Sequence, residues 1–510
     1  MNTQFKRPTI RDILFFVLIF VTLLLRMLLS PPIWQHGEAR EGLVVQEIVL
    51  GHHWILPFRN GELPSKPPLF HWMGALAATV FGLTDFAIRL PSIIGAAIMA
   101  GATFLIGNTV GGRKTAWLGI GALLGMSEFW ESATQARVDM VFAACVTVAI
   151  TAFLFWDRYH GKAARATCYV ACSLAVLAKG PVGIALPLLV IVGFLAVDGR
   201  IKSLWKLWSW SLAALVLCVD VGWYTLAYQI GGDQFLGQQL LYENVDRFIG
   251  TGGFSHSKSI DMMIWLTTRT LPWNLVLLWS LFRSFLGKRE DSSSRFLHAW
   301  WITIFLFFAA AAGKRAVYLL PLYSAIALLA ARALEDMIET AKRFPRHGFV
   351  QEVSSSEIGR RNPARPAIYL GIAIAVFDLT TMLGSTAFWK DANSRNARLA
   401  FVQQIDEIVP NYRPLFATAD FSKTNLMVFA YRLEREIDIK PIACAGRIDY
   451  FLSPLGSRNP AGVDTRVMAS LKSEKAALIT VLSGKSGSGK PERTGGDPGP
   501  FRNLDNQCAR

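Results

Sequence analysis

The stretch WQHGEAREG, residues 34–42, crowds His36, Glu38, Arg40 and Glu41 together where the chain leaves its first long apolar run. On a helix beginning near Gly37, Glu38 and Glu41 share a face while Arg40 points elsewhere. A solvated surface helix accounts for that pattern as readily as a reaction centre does. Asp139 is harder to dismiss. It stands at the mouth of an apolar run, just after Arg137, where an acid is costly unless paired or functional. A helix N-terminal charge is the plainer alternative. Two separated acids brought to one membrane face suit acid/base or cation-binding chemistry.

Lys66, Lys179, Lys314 and Arg315 lie near the ends of apolar runs. Singly, each can snorkel to headgroups; together they can hold a lipid-linked phosphate, which needs several donors. Tyr242, Glu243, Asn244 and Arg247 have helical spacing, which an amphipathic helix also explains. The run GKSGSGK, 484–490, approaches the phosphate-loop pattern. Pro491 replaces its magnesium-binding hydroxyl, and no helix follows, so a flexible tail is the expectation. No HExxH, EF-hand or serine-nucleophile elbow is present. His52 and His53 are adjacent, which gives little support to a metal site.

These residues must be positioned by membrane helices. The 510 residues are 52% hydrophobic and only 17% charged, well below the charge of a soluble domain, and apolar runs near 20 residues recur. The formal charge of +15 sits largely in short segments between those runs, as the positive-inside rule requires. No interleaved basic and aromatic surface argues for nucleic acid. Four cysteines, Cys145, Cys168, Cys172 and Cys218, fall in apolar runs as small core residues. Cys444 and Cys508 can pair only if their region lies outside the cytoplasm. The first apolar run is too long for a signal peptide and lacks a cleavage site, so it reads as a retained helix that starts in the cytoplasm.

Spans are expected at 11–30, 89–110, 114–131, 138–156, 164–179, 181–199, 204–227, 261–284, 297–313, 316–335 and 367–388. Segment 67–84 is apolar but short and opens on Pro67-Pro68. If it lies at the outer surface, the basic segments at 113–114, 157–166, 198–206, 283–290 and 332–366 all become cytoplasmic. The expected fold is therefore an all-α polytopic domain over 1–388 with about eleven spans and juxtamembrane helices on its outer face. A small α/β extracytoplasmic domain follows over 389–483, and a disordered tail over 484–510. PLFATAD and AALITVLSG read as strands of that domain, NARLAFVQQIDEIV as its helix.

Read in order, these segments resemble the membrane glycosyltransferases that take sugar from a polyprenyl phosphate, the protein O-mannosyltransferases and lipid A aminoarabinose transferases. GEAREGLVVQEIV is similar to that family's first acidic segment, NGELPSKPPLFHW to its KPPL segment, and ARVDM to its second acidic motif. LAKGP, WYTLAY, ENVDRF, His256, LPW and GKRAVYLLPLYSAIALL follow, so the resemblance covers about 11–335. Gly37 stands where the family has an aspartate, and Ser65 where an acid often precedes KPP.

The resemblance implies an inverting displacement on the outer face of the inner membrane, from a polyprenyl-phosphate sugar to a lipid A, lipopolysaccharide or protein hydroxyl acceptor. It puts the catalytic acids on Glu38 and Asp139, and donor-phosphate binding on Arg40, Lys66, Lys314 and Arg315. Tyr242, Glu243, Asn244 and His256 would line the cavity. A divalent metal is a possible cofactor, but a family metal site that relies on the acid before KPP is not supported by Ser65 at that position. Membrane lipids are the surrounding partners, and nucleic acid is none. A transporter or flippase of lipid-linked sugars is the alternative; it should show broken helices or repeated halves near the midplane.

Overall fold

The computed structural model describes residues 9–251, 258–285, 291–343, 386–410, 413–439, 449–455, 457, 464–471 and 476–483. His256, Cys444, Cys508, the GKSGSGK run, the tail and most of the expected span at 367–388 lie outside them. The chain forms two compact units. One comprises 1–30, 51–57 and 63–382; the other comprises 31–50, 58–62 and 383–510.

The first unit is helical. Its elements begin with α1 (Ile10–Leu29), and α2 (His36–Gly51) then belongs almost wholly to the second unit. The first unit continues with α3 (Leu69–Phe81), α4 (Asp85–Val110), α5 (Arg113–Leu124), α6 (Ser127–Thr134), α7 (Val138–Tyr159), α8 (Lys162–Lys179), α9 (Val182–Val197) and α10 (Leu204–Leu207). After these come α11 (Trp210–Leu236), a π-helical stretch (Gly237–Asp246) and α12 (Arg247–Ile249). It ends with α13 (Ser259–Arg269), α14 (Trp273–Phe285), α15 (Ser292–Ala310), a 3-10 turn (Ala316–Leu322) and α16 (Tyr323–Arg343).

Among the described residues, five helical segments are long and apolar enough to cross a membrane: Ile10–Leu29, Asp85–Val110, Val138–Tyr159, Trp210–Ile249 and Ala316–Met337. The Ala316–Met337 segment is 89% buried and the first 28%, so α16 is central and α1 peripheral. Thr103 of α4 donates to Ser324 of α16 at 2.7 Å within that interior. Two expected spans are broken. In 114–131, the chain ends α5 at Leu124 and restarts at Ser127. Twelve residues rise only about 18 Å, short of a hydrocarbon core of about 30 Å. In 261–284 the break between α13 and α14 falls at Leu271-Pro272, where proline offers no N–H to continue the helix.

Basic segments gather at one end of this unit. Asp12, buried at 1% exposure, holds Arg113 and accepts from Trp117 Nε1 at 3.0 Å. Arg200 pairs with Asp157 at 2.9 Å, Arg295 with Asp198 at 2.5 Å, and Arg332 with Asp291 at 3.0 Å. Among the described residues, the pair of Arg200 with Asp157 thus joins two of the segments that loop charge sorted to one side, at the C-terminal end of α7, opposite Asp139.

The second unit carries a five-stranded sheet in the order β2-β1-β3-β5-β4. The strands are β1 (Leu415–Ala417), β2 (Ile437–Ile439), β3 (Tyr450–Pro454), β4 (Asp464–Leu471) and β5 (Ala476–Ser483). β1 runs parallel to β2 and β3, whereas β5 is antiparallel to β3 and β4. Helices α17 (Thr386–Ile408) and α18 (Lys423–Leu433) accompany it. The strands and helix expected around 414–420, 476–484 and 396–409 are all present. Phe451, Ala477 and Ile479 form its apolar centre.

Candidate functional site

α7 and α8 are antiparallel neighbours, so the N-terminus of one meets the C-terminus of the other. Ser92 Oγ donates to the carbonyl of Gln135 at 2.6 Å and fixes the approach to α7. Asp139, in the first turn of α7, accepts from Lys179 Nζ, in the last turn of α8, at 2.5 Å. Both ions suit their helix ends, acid at the N-terminus and base at the C-terminus. Gly180 follows with φ of +90°, a conformation that costs a residue with a Cβ. It lets the chain turn directly after the lysine.

A second ionic cluster comes from three other elements. Gln239 Nε2 donates to the carbonyl of Pro64 at 2.8 Å and ties the KPPL loop to the π-helical stretch. That contact carries Lys66 to Glu243, at 2.7 Å. Glu243 also holds Arg247, one turn on, at 3.0 Å. Arg247 Nη1 donates to Tyr318 Oη at 3.3 Å, and the Arg247 carbonyl accepts from Gly313 N at 3.0 Å. The Lys314-Arg315 turn is thereby fixed beside it.

Tyr318 joins the two clusters. Lys179 Nζ lies 4.3 Å from the centre of its ring and 5.0 Å from that of Phe142, a cation–π arrangement. Lys66 is within electrostatic reach of Asp139, and Arg315 of Tyr318. Three cations, Lys66, Lys179 and Arg247, thus meet two carboxylates, Asp139 and Glu243, and such a set of fixed donors suits an incoming anion. Burial holds the Lys66 ammonium below its ordinary value, with the Glu243 carboxylate pulling it partly back.

Among the residues expected at a site, Asp139, Lys66 and Glu243 come together here. Asn244 lies on the same π-helical stretch and donates to the Gln239 carbonyl at 2.6 Å; Tyr242 is on that stretch too. Glu38 and Arg40 belong to the second unit. There the solvated-helix reading fails, because Glu38 and Glu41 are 3% and 4% exposed. Arg40 folds back onto Glu41 at 2.6 Å. α2 packs into its own unit: Gln46 donates to the Tyr431 carbonyl at 2.9 Å, and Trp34 meets Phe429 edge-on. Tyr318, Lys179 and Arg247 were not assigned to the site from sequence. Lys179 carried either a snorkelling signal or, with Lys66, Lys314 and Arg315, a phosphate-holding one, and Arg247 its spacing to Glu243. No group of three or more His, Cys, Asp or Glu among the described residues is arranged to hold a metal ion.

Residues 65–224 match the family model described as dolichyl-phosphate-mannose-protein mannosyltransferase. The chain is 27% identical over 63% of its length to an undecaprenyl phosphate-α-4-amino-4-deoxy-L-arabinose arabinosyl transferase of Shewanella sediminis. A transferase of the same description from Pseudomonas fluorescens is 26% identical over 61% of it. These matches span 59% and 56% of the relatives' own lengths, less than two thirds. In fold, the chain is similar to ArnT from Cupriavidus metallidurans bound to undecaprenyl phosphate, with a TM-score of 0.75 at 16% identity over 92% of this chain and 97% of that one. An oligosaccharyltransferase of Archaeoglobus fulgidus is more distant, with a TM-score of 0.51 at 13% identity over 86% of this chain and 68% of that one. The resemblance to polyprenyl-phosphate-sugar-dependent membrane glycosyltransferases, first carried by short motifs, is thus borne out by sequence, and the fold is shared over most of the chain.

Proposed function

We propose that this multi-pass membrane protein transfers a sugar from a polyprenyl-phosphate donor to an extracytoplasmic acceptor by inverting displacement. The observation that carries the reading is the convergence of Lys66, Lys179 and Arg247, from three separate elements, on the carboxylates of Asp139 and Glu243. Such a cluster is preorganised for a dianionic phosphate. In the displacement the glycosidic C–O bond breaks, its electron pair stays on the phosphate oxygen, and the new bond forms on the opposite face of the anomeric carbon. Fixed cations aimed at that growing charge supply the largest share of the rate.

Asp139 already serves Lys179, so its first role is to aim that ammonium. Its second oxygen accepts from no described residue and can take the proton of a hydroxyl acceptor; an anionic phosphate acceptor would need no base. Glu243 holds Lys66 and Arg247 apart until phosphate replaces it. Lys314 and Arg315 extend the donor site, and Tyr242 and Asn244 line the sugar cavity. For Glu38 and Arg40, which belong to the second unit, the motif alone supports a role. Named relatives that use an undecaprenyl-phosphate aminopentose favour a sugar of that class, with lipid A or another lipopolysaccharide component as acceptor. The proposed location is the inner membrane, with the site and the C-terminal unit on the periplasmic side.

The test is transfer of label from polyprenyl-phosphate sugars to membrane acceptors by wild type, Lys66→Met and Lys179→Met. Loss of product in both variants with the fold intact supports the reading. Full transfer by both sinks the site. Donor movement across the membrane without product would favour a transporter.

A further inference from the structure

α9 leads away from the ionic cluster and α11 leads back, so the link between them lies at the opposite end of the first unit. This link, IKSLWKLWSW over 201–210, forms a 3-10 turn and the short α10. It is held in one place. Leu207 is buried, Tyr169 Oη donates to its carbonyl at 3.4 Å, and Ser209 N donates to the same phenol oxygen at 3.1 Å. Around that anchor the large side chains point outward: Trp205 is 80% exposed, Trp208 46% and Trp210 79%.

Charge accompanies the indoles. Lys202 and Lys206 are exposed and a helical turn apart, and no ion pair forms on either among the described residues. Their neighbour Arg200 is fully engaged with Asp157 and Asp198. Arg165, one turn before Tyr169 on α8, has a buried Nε without a hydrogen-bond partner. Tryptophan settles at headgroup level, where its ring is apolar and its N–H is wet. Lysines beside it face whatever charge the headgroups carry.

We propose that this segment is a binding surface for anionic phospholipid headgroups, with Lys202 and Lys206 facing phosphate and the three indoles seated at the acyl boundary. Charge complementarity selects the occupant: two lysines without acid partners favour an anionic lipid over a zwitterionic one and over a second copy of this strongly basic chain. The surface is remote from the sugar-transfer cluster, and the inference stands whether or not that reading does.

The experiment uses the full chain in a neutral detergent, with phosphatidylglycerol and phosphatidylcholine of matched acyl chains as probes. Lipid retention is read by native mass spectrometry and by the lipid-induced rise in thermal midpoint. Phosphatidylglycerol should be retained in preference to phosphatidylcholine. Each lysine near such a surface contributes about five-fold to binding, so Lys202→Gln/Lys206→Gln should weaken phosphatidylglycerol about thirty-fold and leave phosphatidylcholine unchanged. Trp205→Ala/Trp210→Ala should weaken both lipids. Lys162→Gln, an exposed lysine outside the segment, should behave as wild type. If the double lysine variant has a lower midpoint without lipid, the two single variants are read instead, at about five-fold each. Equal retention of the two lipids by wild type, or full phosphatidylglycerol binding by the lysine variants, overturns the proposal. So does a dimer that dissociates in the tryptophan variant, since a second copy would then be the occupant.

Discussion

Glu243→Gln tests the ionic cluster most directly. The carboxylate is shared by Lys66 at 2.7 Å and Arg247 at 3.0 Å, whose side chains are 10% and 18% exposed. Removing one partner of a buried ion pair costs about 3–5 kcal/mol, because the remaining charge is left uncompensated. Here two cations are stranded at once, while glutamine keeps the shape and some hydrogen bonding. We therefore expect the ligand-free variant to lose about 3 kcal/mol. Polyprenyl phosphate should reverse the loss, since its phosphate takes the carboxylate's place. In wild type, ligand at a hundred times its Kd adds about 2.7 kcal/mol. The variant should gain more than wild type from the same ligand, because its phosphate displaces no carboxylate. The assay is thermal unfolding of the purified chain in detergent, with and without polyprenyl phosphate. An equal deficit in both conditions would refute the reasoning, since it would mean that phosphate never meets Lys66 and Arg247. No deficit in either condition would refute the claim that the cluster is buried and coupled.

Asp139→Asn should lower kcat about a hundred-fold with a smaller change in donor KM, because it releases Lys179 rather than a binding contact; steady-state transfer kinetics separate the two. Transfer should decline on the alkaline side below the ordinary lysine value, as Lys66, held low by burial, loses its proton; Lys66→Arg should move that limb upward. The sign is fixed: the charged form of Lys66 is penalised by folding, so its unfavourable contribution at neutral pH fades as pH rises through its folded value. In the second unit, an added Cβ on Gly42 would lie 2.6 Å from the Tyr431 ring; Gly42→Ala should cost about 1–3 kcal/mol in denaturant unfolding. Glu436 lines a cavity of about 280 Å³ with Glu47 and Glu434, and burial first, then Asp438 and Glu47, raise its carboxyl above the usual range. Glu436→Gln should therefore raise the thermal midpoint at neutral pH. Its advantage should shrink as pH falls through the raised value, where the wild-type acid takes up its proton.

Much of this protein was legible without coordinates, and for one reason: those signals are local. Apolar runs at 11–30, 89–110 and 138–156 identify membrane helices because crossing hydrocarbon demands length and composition within a single segment. Loop charge sorted Lys66, Asp139, Lys179 and Lys314 to one end and the segments at 113 and 200 to the other. β1, β5 and α17 followed from period and propensity. The breaks at Gly125 and Pro272 were visible as residues but were outweighed by the hydropathy around them.

Partnership was decided only by the tertiary structure. Glu243 looked like one polar position on an amphipathic helix, yet its carboxylate meets Lys66, 177 residues earlier. Lys179 could be read as a snorkelling end charge or as one of several phosphate donors, but its pairing with Asp139 and its place over the Tyr318 ring were not in the sequence. The acids of WQHGEAREG fitted a solvated helix as readily as a reaction centre, and they are buried in a unit whose Tyr431 carbonyl accepts from Gln46 across 385 residues. Sequence neighbours determine whether a charge lies near a helix end. They do not determine which opposite charge it meets, because helix packing and rotation bring the two together from distant parts of the chain.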